Sequence, residues 1–300
     1  MNYKMNKNIK IYVIFHHNLE NYYSGDMLEY LEFISVNDKI KKNIMQESVD
    51  VILESSLPGY EDLQSLRFNE SSAMINLYDT IKTSNTDYIG FLQYDNSIDD
   101  NFMSYIKENI TKETGICVSK FNHQEMVANS LPSHLDVLKK SLDIYNNIFN
   151  TNFKFENAGG PLLSTFFIHK DVYENMIIFY RNCKPIINDL IEKEGIRHIA
   201  GFLERFWGMF IDLWYQDNLI CFNDGFKYHS EIKDVNNQLW RYNYGNCQVI
   251  YESGVYKLSC SVFLPDLNQT KVIDKIIDEE TLNLLRNEQI SVEQVFIDTL

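Results

Sequence analysis

The sequence predicts an α/β fold, a mostly parallel sheet flanked by helices, and three observations carry that expectation. Short apolar runs alternate with helix-periodic segments from about residue 10 to residue 230. Met74, Leu77, Tyr78 and Ile81 recur at helical spacing, so one helix lays a single face on a sheet. The chain has 300 residues and 45% hydrophobic content, enough for a sizeable core.

Ile11 to Phe15 reads as the first buried strand and Val51 to Leu53 as a second, followed by the breaker Pro58-Gly59. Asn69 has the chemistry of an N-cap for a helix running to about Thr83. Tyr88 to Leu92 reads as a central strand. Asp99 or Asp100 then opens a short helix holding Phe102, Tyr105 and Ile106, and Gly115 to Ser119 is another strand. Leu135, Leu138, Leu142 and Tyr145 mark one amphipathic helix. His123, His134 and the stretch Asn146 to Asn152 read as exposed loops. Ala158-Gly159-Gly160-Pro161 reads as a turn and Leu162 to Ile168 as a strand. Asp171, with Glu174 three residues on, suggests a capping box. Ile199 to Trp214 is a strongly apolar helix and Leu219 to Phe222 a late strand.

Beyond residue 230 the texture changes. Val249 to Val262 looks like a β-hairpin turning at Ser253-Gly254, and Val272 to Leu285 and Val292 to Leu300 look like terminal helices. The expected division is a main domain over 1–230 and a C-terminal accessory extension, hairpin plus helices, over 231–300.

The formal net charge is −15. A general nucleic-acid binder needs a basic face to displace counterions from phosphates, so no nucleic-acid partner is expected. An anionic ligand would need local help, for which a divalent cation is the natural candidate. The five cysteines are odd in number and contain no C-x-x-C pair, which disfavours a zinc site or a disulfide scaffold. Reduced thiols point to a cytoplasmic location. The run Ile11 to Phe15 is too short for a signal-peptide core, and no stretch approaches the ~18 apolar residues of a membrane span, so no integral membrane contact is expected. Phosphate-loop, dinucleotide, serine-hydrolase and zincin motifs are absent from the sequence.

Asp95 closes the apolar segment Tyr88-Ile89-Gly90-Phe91-Leu92-Gln93-Tyr94-Asp95. A carboxylate just past a parallel strand can hold Mg²⁺ or Mn²⁺ by one oxygen and leave positions for phosphate oxygens. A turn or cap aspartate is the plainer alternative. This segment resembles the one carrying the Asp-x-Asp-type metal motif in GT-A glycosyltransferases of large algal viruses. It also looks like a related uncharacterised family of bacterial polysaccharide clusters. Arg67-Phe68-Asn69-Glu70 and Gly201-Phe202-Leu203-Glu204-Arg205 resemble the same families, and the likeness spans roughly residues 10 to 230. One departure matters: Gln93 stands where the first Asp of the motif would be.

The resemblance implies a GT-A-like, Rossmann-like sheet and a metal-dependent transfer of a sugar from a nucleoside-diphosphate donor, a UDP-sugar, to a glycan acceptor. It implies Asp95 and His229 as ligands of Mn²⁺ (or Mg²⁺), with Gln93 and Tyr94 beside the donor. A surface histidine is the alternative for His229. His16 and His17, at the end of the first strand, suit contacts to a nucleotide base or ribose. Arg67, Asn69 and Glu70 suit the donor diphosphate or sugar hydroxyls, with plain capping as the alternative for Asn69. Gly159 and Gly160 admit close approach of a sugar to the backbone, or make an ordinary turn. Glu204, set among apolar residues, could be raised in pKa and serve as the catalytic base. An ion pair with Arg205 or Arg197 would also explain it. Asp171 and Asp224 are weaker catalytic candidates. A viral source would place the chain in the host cytoplasm. Gln93 favours one other reading, a non-catalytic nucleotide-sugar or carbohydrate-binding module on the same fold. A nucleotidyltransferase is a further alternative.

Overall fold

The computed structural model describes residues 7–15, 26–36, 50–161, 164–196, 198–228, 231–233, 240–244, 247–252, 255–264, 269–286 and Val295. The chain divides into two compact units, with the boundary after Lys227.

The first unit begins with strands β1 (Ile9–Phe15), β2 (Leu31–Ser35) and β3 (Val51–Leu53), then helices α1 (Glu70–Asn76) and α2 (Tyr78–Thr83). There follow β4 (Tyr88–Gln93), β5 (Asn96–Ile98), α3 (Asp100–Asn109), β6 (Gly115–Cys117) and β7 (Lys120–Phe121). The rest comprises α4 (His123–Ala128), α5 (Pro132–Phe149), β8 (Gly160–Pro161), β9 (Phe166–His169), α6 (Lys170–Glu194), α7 (Ile199–Tyr215), β10 (Leu219–Cys221) and β11 (Phe226–Tyr228).

Seven strands form the central sheet in the order β10-β6-β9-β4-β1-β2-β3. Neighbours run parallel except at β9, which is antiparallel to both β4 and β6. This is the mixed, mostly parallel α/β sheet that the alternating pattern predicts. Residues Ile11 to Phe15 are all buried because both sheet faces are covered, so the strand reads as a continuous apolar run. Tyr12, Ile14, Ile89, Phe91, Phe166 and Ile168 join the core beneath α1, α2, α5, α6 and α7. Phe91 packs on Phe166 and Tyr173, with ring centroids 5.5 and 5.8 Å apart. On the opposite face Phe102 of α3 meets Phe167 at 5.4 Å. Gly90 is paired with Phe167 across β4 and β9, and a Cβ at Gly90 would lie 2.3 Å from that ring. The missing side chain is what lets Phe167 lie flat on the central strand.

The chain steps outward from β1 to β2 to β3, then returns to lay β4 on the other side of β1. The crevice at the carboxyl ends of β1 and β4 is therefore a topological switch point, where open α/β sheets bind ligands.

Several expectations are corrected. Strand β2 was not expected, although Leu31-Glu32-Phe33-Ile34-Ser35 buries all but Glu32. The expected helix from Asn69 to Thr83 is two, meeting at Leu77 (ψ −5°). Its apolar face is as read: Met74, Leu77, Tyr78 and Ile81 are all buried. Asn69 does not cap α1 through its side chain. Its backbone sits at φ 49°, ψ −127°, and its carbonyl accepts from Gln64 Nε2 at 2.8 Å and Ser72 Oγ at 2.9 Å. His134 is not in a loop but is 4% exposed on α5, edge-on to Phe202 at 5.4 Å. His123 opens α4. Asn146 is helical and closes the turn after α5 by accepting from Thr151 Oγ1 and Phe153 N–H. Asp171 makes no capping box: the His169 side chain caps α6 by accepting from Asp171 N–H.

The second unit holds an antiparallel sheet in strict chain order: β12 (Glu231–Lys233), β13 (Trp240–Tyr244), β14 (Cys247–Glu252), β15 (Val255–Leu264) and β16 (Gln269–Ile277). The expected hairpin is β14–β15. The expected helix from Val272 is overturned. Residues through Ile277 extend β16, and only α8 (Glu279–Arg286) is helical. β15 offers a long antiparallel partner whose ladder outweighs a weak helical pattern. The expected helix over 292–300 lies outside the described residues, Val295 excepted. Among the described residues, Val249, Leu258, Ile277, Leu282, Leu285 and Val295 are buried hydrophobic side chains of this unit.

Candidate functional site

β4 delivers its C-terminal residues to the switch point. Gln93 ends the strand half-buried, and the chain turns through Tyr94 and Asp95 into β5. Tyr94, Asp95, Asn96 and Ser97 are 8%, 7%, 0% and 6% exposed. Four successive polar-capable side chains out of water is unusual, because each buried polar group must be compensated. Part of the compensation is visible: Asn96 Nδ2 donates to Thr165 Oγ1 at 3.1 Å, clamping this turn to the start of β9. β5 pairs with β11, and Asp99 N–H donates to the Gly225 carbonyl at 2.9 Å beside that ribbon. Asp99 also caps α3 by accepting from Asn101 and Phe102 N–H, so the segment after Asp95 is fixed at both ends.

The glycine pair lies at the same edge. It is not a simple turn: Gly160 begins β8, which pairs with β7. Gly160 has φ +144°, and a Cβ there would lie 2.1 Å from the Gly208 carbonyl oxygen of α7. Strand and helix thus cross backbone to backbone, which only glycine permits. Gly159 N–H donates to the Asp212 carboxylate, which also pairs with Lys120. Burial raises the Asp212 carboxyl above the usual carboxylate range, while Lys120 and the Gly159 N–H oppose that rise.

α7 brings distant segments together. Its last residue, Tyr215, reaches the opposite end of β9, where its Oη accepts from His169 N–H at 3.2 Å. Its middle crosses β8, and its N-terminal half extends beyond the carboxyl edge. There Trp207 Nε1 donates to Ser71 Oγ at 3.0 Å. That bond ties the segment holding Glu204 to the one holding Arg67, Asn69 and Glu70. Glu204 itself is half-buried, and its charge acts on Arg205. The Arg205 guanidinium donates to the Gly201 and Asn129 carbonyls, anchoring the helix start to the end of α4. Arg67 is exposed in a left-handed cap at φ 58°, ψ 39°, and Glu70 is half-buried in the first turn of α1.

The structure separates Asp171 from this group. Its neighbour His169 pairs with Tyr88 at the amino end of β4, the edge opposite Asp95. Asp171 is half exposed and pairs with Lys112, whose hydrogen bond lowers its pKa. The catalytic expectation for Asp171 is corrected on that ground: a solvated surface pair at the wrong end of the sheet cannot meet a ligand at the switch point. His16, His17 and His229 lie outside the described residues. Among the described residues no three His, Cys, Asp or Glu side chains converge in a way that could hold a metal ion. No helix among them is long and apolar enough to cross a membrane. A groove between α5 and α6, lined by Asp136, Lys140, Asp189 and Lys193 among others, contains none of the candidate residues.

Sequence reasoning missed Asp212, Lys120 and the Thr165 clamp. Asp212 had a signal, a single acid within Phe210-Ile211-Asp212-Leu213-Trp214. Glu54 also went unremarked. It is 2% exposed just after β3, where Asn76 Nδ2 donates to it at 2.7 Å.

No protein-family model matches the sequence, and no curated protein matches it. The fold is similar to that of the bifunctional glycosyltransferase WbbM in its apo structure, with a TM-score of 0.52 and 12% identity over 76% of this chain. The chain spans less than half of that protein, 46% of its length. Two further glycosyltransferase structures match at lower TM-scores. GlyE of Streptococcus pneumoniae TIGR4 matches at 0.30, with 13% identity over 72% of this chain and 45% of that one. Core-mannan synthase A of Aspergillus fumigatus matches at 0.32, with 11% identity over 81% of this chain and 76% of that one.

Proposed function

We propose that the chain is a glycosyltransferase that moves a sugar from a nucleoside-diphosphate donor, a UDP-sugar, to a glycan hydroxyl. One observation carries the reading: Asp95 lies in the turn directly after the central strand β4, beside the β1/β4 switch point, and that turn is tied down by the Asn96–Thr165 hydrogen bond. The fold shared with WbbM agrees with it. So does the Trp207–Ser71 bond, which joins two of the three segments on which the sequence resemblance rests.

A divalent cation, Mn²⁺ or Mg²⁺, fits the Asp95 carboxylate, because such ions take one or two protein carboxylates and complete their shell with substrate phosphate oxygens. Asp95 and, from the sequence resemblance, His229 would hold it. When bound, the ion neutralises charge on the departing diphosphate. Arg67, exposed near the start of α1, would meet the donor phosphates. α1 has only seven residues, so its N-terminus is given no phosphate-binding role of its own. Glu204, half-buried beyond the carboxyl edge, would accept the acceptor proton. Gln93 in place of a second carboxylate favours the other reading, a module that binds the donor without turnover.

A thermal-shift screen of nucleoside-diphosphate sugars with and without Mn²⁺ is the first test, since a donor that binds only the folded state raises Tm by mass action. Turnover of the donor found is then compared with Asp95→Ala. The variant should fold and lose activity by about 100-fold or more. Undiminished turnover in Asp95→Ala, or in excess chelator, sinks the metal role. Metal-dependent binding with no transfer or donor hydrolysis selects the binding module.

A further inference from the structure

Two cysteines, far apart in sequence, occupy directly paired positions at the end of the central sheet. Cys117 on β6 and Cys221 on β10 are Cα partners in a parallel register, and their sulfurs lie 3.5 Å apart. Cys117 is fully buried and Cys221 is exposed. We propose that this pair is a reversible thiol-modification site that takes low-molecular-weight disulfides of the glutathione type and closes to a Cys117–Cys221 disulfide.

The division of labour follows from burial. A disulfide arriving from solvent reaches only Cys221. The hydrogen bond between the two sulfurs and then the positive charge of Lys120 lower Cys221 to about 7 against its partial burial, while that same hydrogen bond and then burial push Cys117 up. Cys221 thus has the features of an attacking thiol and Cys117 those of a resolving one. The Cys221 thiolate attacks one sulfur of the incoming disulfide. A Cys221–glutathione bond forms, the glutathione S–S bond breaks, and one glutathione thiolate leaves and takes up the proton lost from Cys221. Cys117 then gives its proton to solvent and attacks the Cys221 sulfur. The second glutathione leaves as its thiol. Two protein thiols have been oxidised and one glutathione disulfide reduced to two thiols.

Reversibility follows from exposure. β10 is the terminal strand of the sheet and Cys221 is exposed, so a reducing thiol reaches the bond from solvent, and exposed disulfides are among the readily reduced ones. The site is independent of the donor reading.

The test uses the full chain in buffers of graded glutathione disulfide to glutathione ratio, followed by acid quench, alkylation and peptide mass spectrometry. In excess oxidant the 117 and 221 peptides should be found joined, and excess glutathione should separate them. Cys117→Ser should leave Cys221 as a stable mixed disulfide with glutathione. Cys221→Ser should leave Cys117 a thiol at every ratio. Cys247 and Cys260 are also Cα partners, across β14 and β15. The double variant Cys247→Ser/Cys260→Ser should therefore keep the 117–221 link. The wild-type measurement decides the matter without variants. Free thiols at both positions in excess oxidant overturn the proposal, as does glutathione lodged on Cys221 without conversion to the internal bond.

Discussion

At the carboxyl edge of the central sheet, Asp95, Asn96, Ser97 and Thr165 are all less than a tenth exposed. At the amino edge, Lys112 and Asp171 keep 61% and 51% of their side chains in water. Both edges carry acids, bases and hydrogen bonds, and the sequence offers a candidate at each, Asp95 the stronger and Asp171 the weaker. The difference lies in what each arrangement costs. The exposed pair is screened by solvent and needs no support. The buried set costs desolvation that the Asn96–Thr165 bond helps offset, and at the same edge Lys120 and the Gly159 N–H do so for Asp212. Groups kept in place at such a cost are the ones to suspect of chemistry.

The contrast breaks most sharply at Gly160. Gly160→Ala adds a Cβ at φ +144° against the Gly208 backbone, which cannot swing away as a side chain can. A loss of about 3 kcal/mol or more is expected in urea unfolding. A wild-type midpoint would show that β8 and α7 are not locked at the carboxyl edge. Asp212→Ala comes next. It leaves Lys120 and the Gly159 N–H without their shared acceptor and should cost about 2–3 kcal/mol, less than a fully buried pair because Lys120 is one-third exposed. Asp212→Asn, which keeps an acceptor, should cost less; equal losses would assign the effect to charge alone.

His134 sharpens the comparison through pH. Burial, then the charges of Arg205 and His198, lower its pKa to about 4. The unfolded chain takes up this proton near pH 6.5 and the folded chain only near 4, so the stabilisation is whole above 6.5 and drains away as pH falls between those values. About 2 kcal/mol should be lost by pH 5, seen as a Tm drop of roughly 4–8 °C. His134→Gln should flatten the His134 part of that slope. The smallest effect belongs to the amino edge. Asp171→Asn should leave Tm within about a degree, as removing a solvated ion pair does, and leave donor turnover unchanged. A tenfold or greater fall in turnover would reverse the roles of the two edges.

The sheet was legible because burial on both faces writes strands as apolar runs: Ile11 to Phe15 and Tyr88 to Leu92 stand out unaided. Asp95 was legible for the same reason, as the place where such a run stops. β2 was obscured by Glu32 in its middle, and β16 because Val272, Ile273, Ile276 and Ile277 fit either period. The support around Asp95 was not legible. Asn96 meets Thr165 across 69 residues and Trp207 meets Ser71 across 136, and no local pattern records partners at that range. Asp171 misled because a capping signature describes a helix start without saying at which end of a sheet the helix begins.

Trp207 gives the experimenter an unlabelled window on this architecture. It is one of three tryptophans, fully enclosed, and its indole N–H is engaged by Ser71. Its fluorescence should therefore be shifted to short wavelength and shielded from quenchers such as iodide. Any event that pries α7 from α1 would redden that emission, so the optical signal of the native chain reports whether two of its remote segments are still joined.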